Sequence, residues 1–136
     1  MGHVDINYLA VLVCAVVPLL IGFTWYGPLF GKAWLANVGK TEEDLKKNFN
    51  PTKTYGLTVV ANFVVAYVLA RIMGYAGAET ITDGLIIASL SWLGFVACSF
   101  YINNLFEQRP NKLMLINIFY NFAVLIVFSI ILSVWK

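Results

Sequence analysis

Three asparagines and one tyrosine interrupt the apolar stretches of this chain in a pattern that could bind a solute. Asn117 and Asn121 are four residues apart, which places them on one face of a helix, with Tyr120 beside them. Asn62 occupies a similar apolar stretch earlier in the chain. A buried amide without a partner is costly, so each must face protein or water. Asn62, Asn117, Asn121 and Tyr120 therefore form a candidate polar cluster, which either lines a cavity for a small solute or hydrogen-bonds one helix to another.

A second candidate site surrounds the sequence that ends at Pro110. Asn103 and Glu107 stack at i, i+4, and Arg109 follows. A carboxylate near a helix C-terminus is unfavourable, so we expect Arg109, Lys112 or Lys32 to compensate Glu107. The region is either an ion pair that fixes a helical hairpin or a mouth that binds a ligand or a lipid headgroup. The candidate residues of this mouth are Asn103, Asn104, Glu107, Arg109, Trp25, Tyr26 and Lys32.

Four long stretches without Asp, Glu, Lys or Arg must position these groups. They lie between Asp5 and Lys32, Thr54 and Ala70, Gly84 and Phe106, and Leu113 and Trp135. At about 1.5 Å per residue each can cross or nearly cross a hydrocarbon layer of about 30 Å. The sequence therefore predicts an all-α integral membrane bundle of four transmembrane helices in one domain, residues 1–136. The predicted spans are about 6–26, 52–73, 82–107 and 111–135.

Local signals define the helix ends. Gly27-Pro28 is expected to stop the first span, and Pro18 to kink it. An amphipathic segment, residues 29–50, is expected to lie at the membrane interface, and Thr41 with Asp44 predicts a short helix over 42–48 within it. Asn50 and Thr80 are candidate N-caps for the second and third spans.

The basic residues are distributed unevenly between the two ends of the predicted bundle. The connections on one side hold Lys32, Lys40, Lys46, Lys47, Lys53, Arg109 and Lys112, and the other side has Arg71 and Lys136. By the positive-inside rule the basic connections are cytoplasmic, and both termini face outward.

A possible duplication relates the second and fourth spans. Pro51, Lys53 and Asn62 recur as Pro110, Lys112 and Asn121, each 59 residues later. A parallel repeat of a helical hairpin would explain this match, although the first and third spans do not share one offset. In either case the two asparagines lie roughly 16 Å from the prolines, near the middle of the membrane.

Composition and motifs exclude several classes of function. The chain is 60% hydrophobic and only 12% charged, and its net charge of +2 is too small to indicate nucleic-acid binding. Phosphate-binding and hydrolase motifs are absent, so an enzyme is disfavoured and no cofactor is expected. His3 and Asp5 could ligate a metal only with a second subunit, so no metal site is expected. Small residues mark a packing face of the third span: Gly84, Ala88, Ser91, Gly94 and Cys98.

Several motifs together resemble one family. They are Trp25-Tyr26-Gly27-Pro28-Leu29-Phe30-Gly31-Lys32-Ala33-Trp34, Thr41-Glu42-Glu43-Asp44-Leu45, Trp92-Leu93-Gly94-Phe95-Val96-Ala97, Asn103-Asn104-Leu105-Phe106-Glu107-Gln108-Arg109-Pro110 and Leu115-Ile116-Asn117-Ile118-Phe119-Tyr120. Nearly the whole chain is similar to the small bacterial membrane proteins called domain of unknown function 1761. The resemblance implies four spans in a bacterial inner membrane, and it carries no catalytic or binding residues.

Two functions remain open from the sequence. The first is a permeation or transport element that oligomerises, with a dimer as the expected form, and lets a small solute pass through the polar cluster. The alternative is a structural or accessory subunit that binds a larger membrane partner or anionic lipid through residues 29–50. A membrane enzyme using Glu107, Arg109 and Tyr26 is a third and weaker hypothesis.

Overall fold

The computed structural model describes residues 2–136, and this part of the chain is helical with short connections. Four helical stretches are long and apolar enough to cross a membrane: the first span Tyr8–Leu29, the second Pro51–Tyr75, the third Ile81–Glu107 and the fourth Asn111–Val134. The helices are α1 (Tyr8–Thr24), α2 (Gly31–Asn37), α3 (Glu42–Lys47), α4 (Pro51–Tyr75), α5 (Ile81–Ser91), α6 (Cys98–Glu107) and α7 (Asn111–Val134). The predicted all-α bundle with four candidate spans is confirmed.

The spans pack as two antiparallel hairpins, and the last helix of the second hairpin also packs against the first hairpin. α1 packs along α4, α5 packs along α7, and α7 also contacts both α1 and α4. The core that results is made of small and aliphatic side chains around one phenylalanine. Its buried members are Ala10, Val11, Cys14, Ala66, Leu69, Met73, Ala88, Val124, Leu125, Phe128 and Leu132.

The capping signals read from the sequence are confirmed. The Asn50 side chain accepts a hydrogen bond from the backbone of Lys53, with Pro51 at the start of α4. Thr80 forms a capping box with Asp83 at the start of α5. Thr41 and Asp44 form a second capping box, which begins α3 between the first two spans. Because α3 is exposed, the box rather than packing holds its first turn.

The expected stop at Gly27-Pro28 is wrong. Trp25–Leu29 is a π-helical segment that carries the first span through Pro28. A π-helix bonds each residue to the fifth one before it, so one turn of it can absorb a residue that an α-helix cannot. Phe30 then leads into α2, which the sequence did not indicate. A side chain at Gly31 would lie 2.5 Å from the Tyr26 carbonyl oxygen, so glycine permits this tight continuation.

A second π-helical segment, Trp92–Ala97, divides the third span into α5 and α6. The extra residue per turn rotates the face of α6 relative to that of α5. Gly84 and Ala88 are therefore buried against the rest of the bundle, whereas Gly94 and Cys98 are exposed. The five small residues do not form one continuous packing face.

Candidate functional site

Both π-helical segments begin at a tryptophan that binds the backbone of α7. The Trp25 indole N–H donates to the Ile116 carbonyl at 3.0 Å, and the Trp92 indole N–H donates to the Ile118 carbonyl at 2.6 Å. Trp25 comes from the first span and Trp92 from the third, so α7 receives an indole donor from two of the three spans that it contacts. An indole N–H inside an apolar bundle needs such an acceptor.

Sequence reasoning missed this pair, although the sequence contains a signal for it. Thr24-Trp25-x-Gly27 and Ser91-Trp92-x-Gly94 share a hydroxyl residue, a tryptophan and a glycine at the same spacing. The sequence places Trp25 among the candidate residues of the mouth near Glu107. Its half-buried ring is instead held 4.7 Å from the ring of Phe30 and hydrogen-bonded to α7.

Tyrosines complete the junction between the first and fourth spans. The Tyr26 hydroxyl lies 2.7 Å from the Asn117 side-chain oxygen, to which it donates. The Tyr120 hydroxyl donates to the Pro18 carbonyl at 2.9 Å. A Cβ atom at Gly22 would lie 3.3 Å from the Tyr120 hydroxyl oxygen, so this glycine gives the ring its space. The structure therefore joins Tyr26, a candidate mouth residue, to the Asn117 and Tyr120 cluster.

The second and fourth spans are not joined by their asparagines. The Asn121 side-chain amide donates to the Asn117 carbonyl of its own helix at 2.9 Å. Asn62 lies half-buried on the face of α4 that carries Ala66, and within residues 2–136 its side chain makes no hydrogen bond. Of the two alternatives for the polar cluster, the one in which Asn62 and Asn121 hydrogen-bond the second span to the fourth is therefore wrong. The main reason is geometric, because an amide in a helix can reach the carbonyl four residues before it.

The residues around Pro110 form an exposed ion pair and a local cap. Arg109 Nε lies 3.3 Å from Glu107 Oε2, so the expected compensation of Glu107 is confirmed. Asn104 donates to the Arg109 carbonyl at 3.2 Å and to the Asn111 side-chain oxygen at 3.1 Å, which closes the turn between α6 and α7. The ion pair is more than half exposed, and at such sites it contributes little to stability.

The other mouth residues do not gather around the Glu107 turn. Asn103 and Lys32 are exposed, and the hydrogen bonds of Trp25 and Tyr26 go to α7 instead of to the Glu107 turn. Two open cavities are found near the chain termini, at the opposite end of the bundle, and Asn117, Tyr120 and Asn121 line neither of them. Among residues 2–136, no three His, Cys, Asp or Glu side chains are grouped closely enough to hold a metal ion.

Chemically, the junction on α7 is a set of neutral hydrogen bonds that fasten helices together. Three consecutive residues, Ile116, Asn117 and Ile118, accept bonds from the first and third spans. These three acceptors are used within the bundle, so they are occupied by protein donors rather than open to a solute. The arrangement is that of a fastened helical bundle.

Four apolar spans joined in this way define the class of multi-pass helical membrane proteins. Within that class the chain belongs to the family described as "Protein of unknown function (DUF1761)", whose model matches residues 9–133. Neither the curated proteins nor the solved structures gave a match to the chain.

Proposed function

We propose that this protein is an accessory subunit of the bacterial inner membrane that works by associating with a second membrane bundle. The observation that carries the proposal is the uncovered half of the third span, Trp92–Glu107, in which 12 of the 16 residues are exposed. The main partner of α6 beyond the adjoining π-helical segment is α7. The rest of its circumference is open along the depth of the membrane.

One part of this surface suits lipid and another part suits a neighbouring helix. Large apolar side chains such as Phe95 and Phe106, which are 77% and 84% exposed, suit acyl chains. Gly94 and Cys98, one turn apart, instead leave a shallow groove, and a Cβ at Gly94 would meet nothing within 4 Å. Small residues at this spacing allow two helix backbones to approach closely. Ser99 and Asn103 add exposed polar groups that a neighbouring helix can satisfy.

The partner with the best fit to this groove is a second copy of the chain. Two copies inserted in the same orientation place identical residues at identical depth, so a two-fold axis along the membrane normal sets Gly94 against Gly94 and Cys98 against Cys98. A small residue then faces a small residue on both sides. The first and second spans keep exposed apolar side chains, such as Leu20 and Val60, with which to contact a larger assembly.

A permeation role has less support from the same geometry. The groups that would line a path, Tyr26, Asn117 and Tyr120, are hydrogen-bonded within the bundle. Asn121 is bonded along its own helix.

The proposed orientation keeps the basic connections in the cytoplasm and both termini outside, because seven of the nine basic residues lie in or next to those connections.

The native cysteines provide the test. Cys14 is buried and Cys98 is exposed, so oxidation of membranes that contain the protein should cross-link two copies through Cys98. A disulfide requires Cα atoms within about 7 Å, which makes the product specific for the proposed face. Cys14→Ala should keep the product and Cys98→Ala should abolish it.

A second pair of variants distinguishes cross-linking of a specific dimer from cross-linking by random collision of two copies in the membrane. Gly94→Leu fills the groove and should lower the cross-linked fraction by about tenfold, which corresponds to 1.4 kcal/mol of association. Gly56→Leu is the matched control, because Gly56 is an exposed glycine of α4 outside the proposed face. Equal cross-linking in both variants, or a single copy in mild detergent at all concentrations, would contradict the proposal.

A further inference from the structure

A cleft of about 590 Å³ opens at the end of the bundle that carries the chain termini. Its volume is within the range of about 300–1,000 Å³ that is typical of small-molecule sites. It lies between the segment before α1 and the ends of α4 and α7. Among the residues that line it are Asp5, Ala70, Met73, Leu132, Trp135 and Lys136.

Contacts between distant parts of the chain fix the walls of this cleft. The Asn7 side chain donates to the Trp135 carbonyl at 3.2 Å and also caps α1. Val4 packs directly on Gly74, where any side chain would collide with it. Lys136 Nζ donates to the carbonyls of Ala78 and Glu79 at 3.1 and 3.4 Å. The segment before α1, α4 and the end of α7 are therefore held together around an open space.

The lining divides into an apolar floor and a charged rim. Ala70, Met73 and Leu132 supply the floor, and the last two are among the buried residues of the core. Asp5 lies on the outer rim, where its side chain is 99% exposed, with one carboxylate oxygen 2.9 Å from His3 Nε2 and the second oxygen available. Lys136 has three ammonium hydrogens and two carbonyl partners, so one donor is available.

We propose that this cleft binds an amphiphile whose headgroup carries both a phosphate and a primary ammonium. Lys136 would receive the phosphate and Asp5 the ammonium, while the first methylenes of the tail lie on Met73 and Leu132. Charge complementarity favours a zwitterion, because among residues 2–136 the cleft is lined by the Lys136 ammonium and the Asp5 carboxylate, and each of them has a bonding position left. Trp135 lines the cleft, and tryptophan is enriched at the depth of lipid headgroups.

The carboxylate also sets a preference among zwitterions. A primary ammonium donates hydrogen bonds to a carboxylate, and a trimethylated ammonium cannot. We therefore expect a phosphoethanolamine headgroup to be held about tenfold more tightly than a phosphocholine headgroup on the same acyl chains.

The experiment is native mass spectrometry of the purified full chain with added phosphatidylethanolamine or phosphatidylcholine. The wild type should retain one phosphatidylethanolamine, and Asp5→Asn and Lys136→Gln should each lower that retention by about tenfold. Glu79→Gln and Lys40→Gln are matched controls, since neither side chain lines the cleft. Ala70→Leu, which fills the floor without changing charge, should also lower retention. A thermal melt of each variant shows that it is folded.

A soluble arm distinguishes the two sources of this headgroup. Glycerophosphoethanolamine that competes at the concentration of the lipid would identify the free zwitterion as the ligand, and failure to compete would identify the bilayer lipid. Equal retention of both lipids, together with no effect of Asp5→Asn, would overturn the proposal. Cross-linking through Cys98 is a separate readout and does not depend on this result.

Discussion

Replacing Gly84 with alanine should loosen the contact between the third and fourth spans. Gly84 is buried in α5, and a Cβ atom there would lie 2.5 Å from Ser133 Oγ and 3.2 Å from the backbone oxygen of Ser129. Met73 Cε would lie at 3.2 Å as well. The serine and methionine side chains can rotate, but the Ser129 carbonyl belongs to α7 and moves only with that helix. The two helices must therefore separate by a few tenths of an ångström.

The magnitude follows from two opposing effects. Overpacking of this kind costs about 1–3 kcal/mol, and alanine gains about 0.5–1 kcal/mol over glycine inside a helix. The midpoints of these two ranges, about 2 and about 0.75 kcal/mol, give a net loss of about 1 kcal/mol in the free energy of unfolding. Gly56→Ala is the control, because nothing lies within 4 Å of a Cβ at Gly56 and only the helical gain remains.

A double-mutant cycle tests the assignment of the clash. Ser133 Oγ is buried without a hydrogen-bond partner among residues 2–136, so Ser133→Ala alone should be neutral or slightly stabilising. Combined with Gly84→Ala it removes the closest contact and should recover about 1 kcal/mol as a coupling energy. Reversible unfolding in mixed micelles gives all four values. If Gly84→Ala is as stable as the wild type while Gly56→Ala is stabilised, the inferred close approach is wrong.

Two further predictions concern single polar contacts. Tyr26→Phe removes the donor to Asn117 and should lower the unfolding free energy by about 0.6–2 kcal/mol in the same assay. The control Tyr101→Phe, at an exposed tyrosine, should leave the unfolding free energy unchanged. Equal effects of the two variants would contradict the role of the Tyr26 hydroxyl. The Thr41 backbone N–H, and then its hydroxyl, hold the pKa of Asp44 below its ordinary value. The capping box is therefore intact above about pH 4 and weakens as the pH falls through the lowered pKa. Amide exchange should show lower protection factors in α3 at pH 2 than at pH 7, and unchanged factors would refute this.

Much of the fold could be predicted because lipid imposes strong constraints on sequence. Charge-free stretches located all four spans, and the caps at Asn50, Thr41 and Thr80 act through local hydrogen bonds that depend on few residues. The π-helical segments were not predicted. Whether a helix absorbs an extra residue at Trp25 or Trp92 is decided by an acceptor on α7, which is distant in sequence.

The sequence predicted which residues form the polar site better than it predicted their hydrogen-bond partners. Asn117 and Tyr120 do lie at the centre of a polar junction, but their partners are Tyr26 and Pro18 rather than Asn62. An offset of 59 residues between Asn62 and Asn121 specifies depth along a helix, and it does not specify which way each side chain turns. Rotation about the helix axis depends on packing, which a single sequence does not reveal.

The three consecutive acceptors on α7 have a consequence for how the chain is made. Ribosomes deliver the first and third spans before the fourth, so Trp25, Tyr26 and Trp92 enter the translocon with their acceptors still unsynthesised. These donors have no α7 acceptor until the fourth span emerges, so before then they face acyl chains or water. The three hydrogen bonds can therefore form only once the fourth span is inserted, so the first and third spans are joined last, after the hairpin of the first and second spans can already pack.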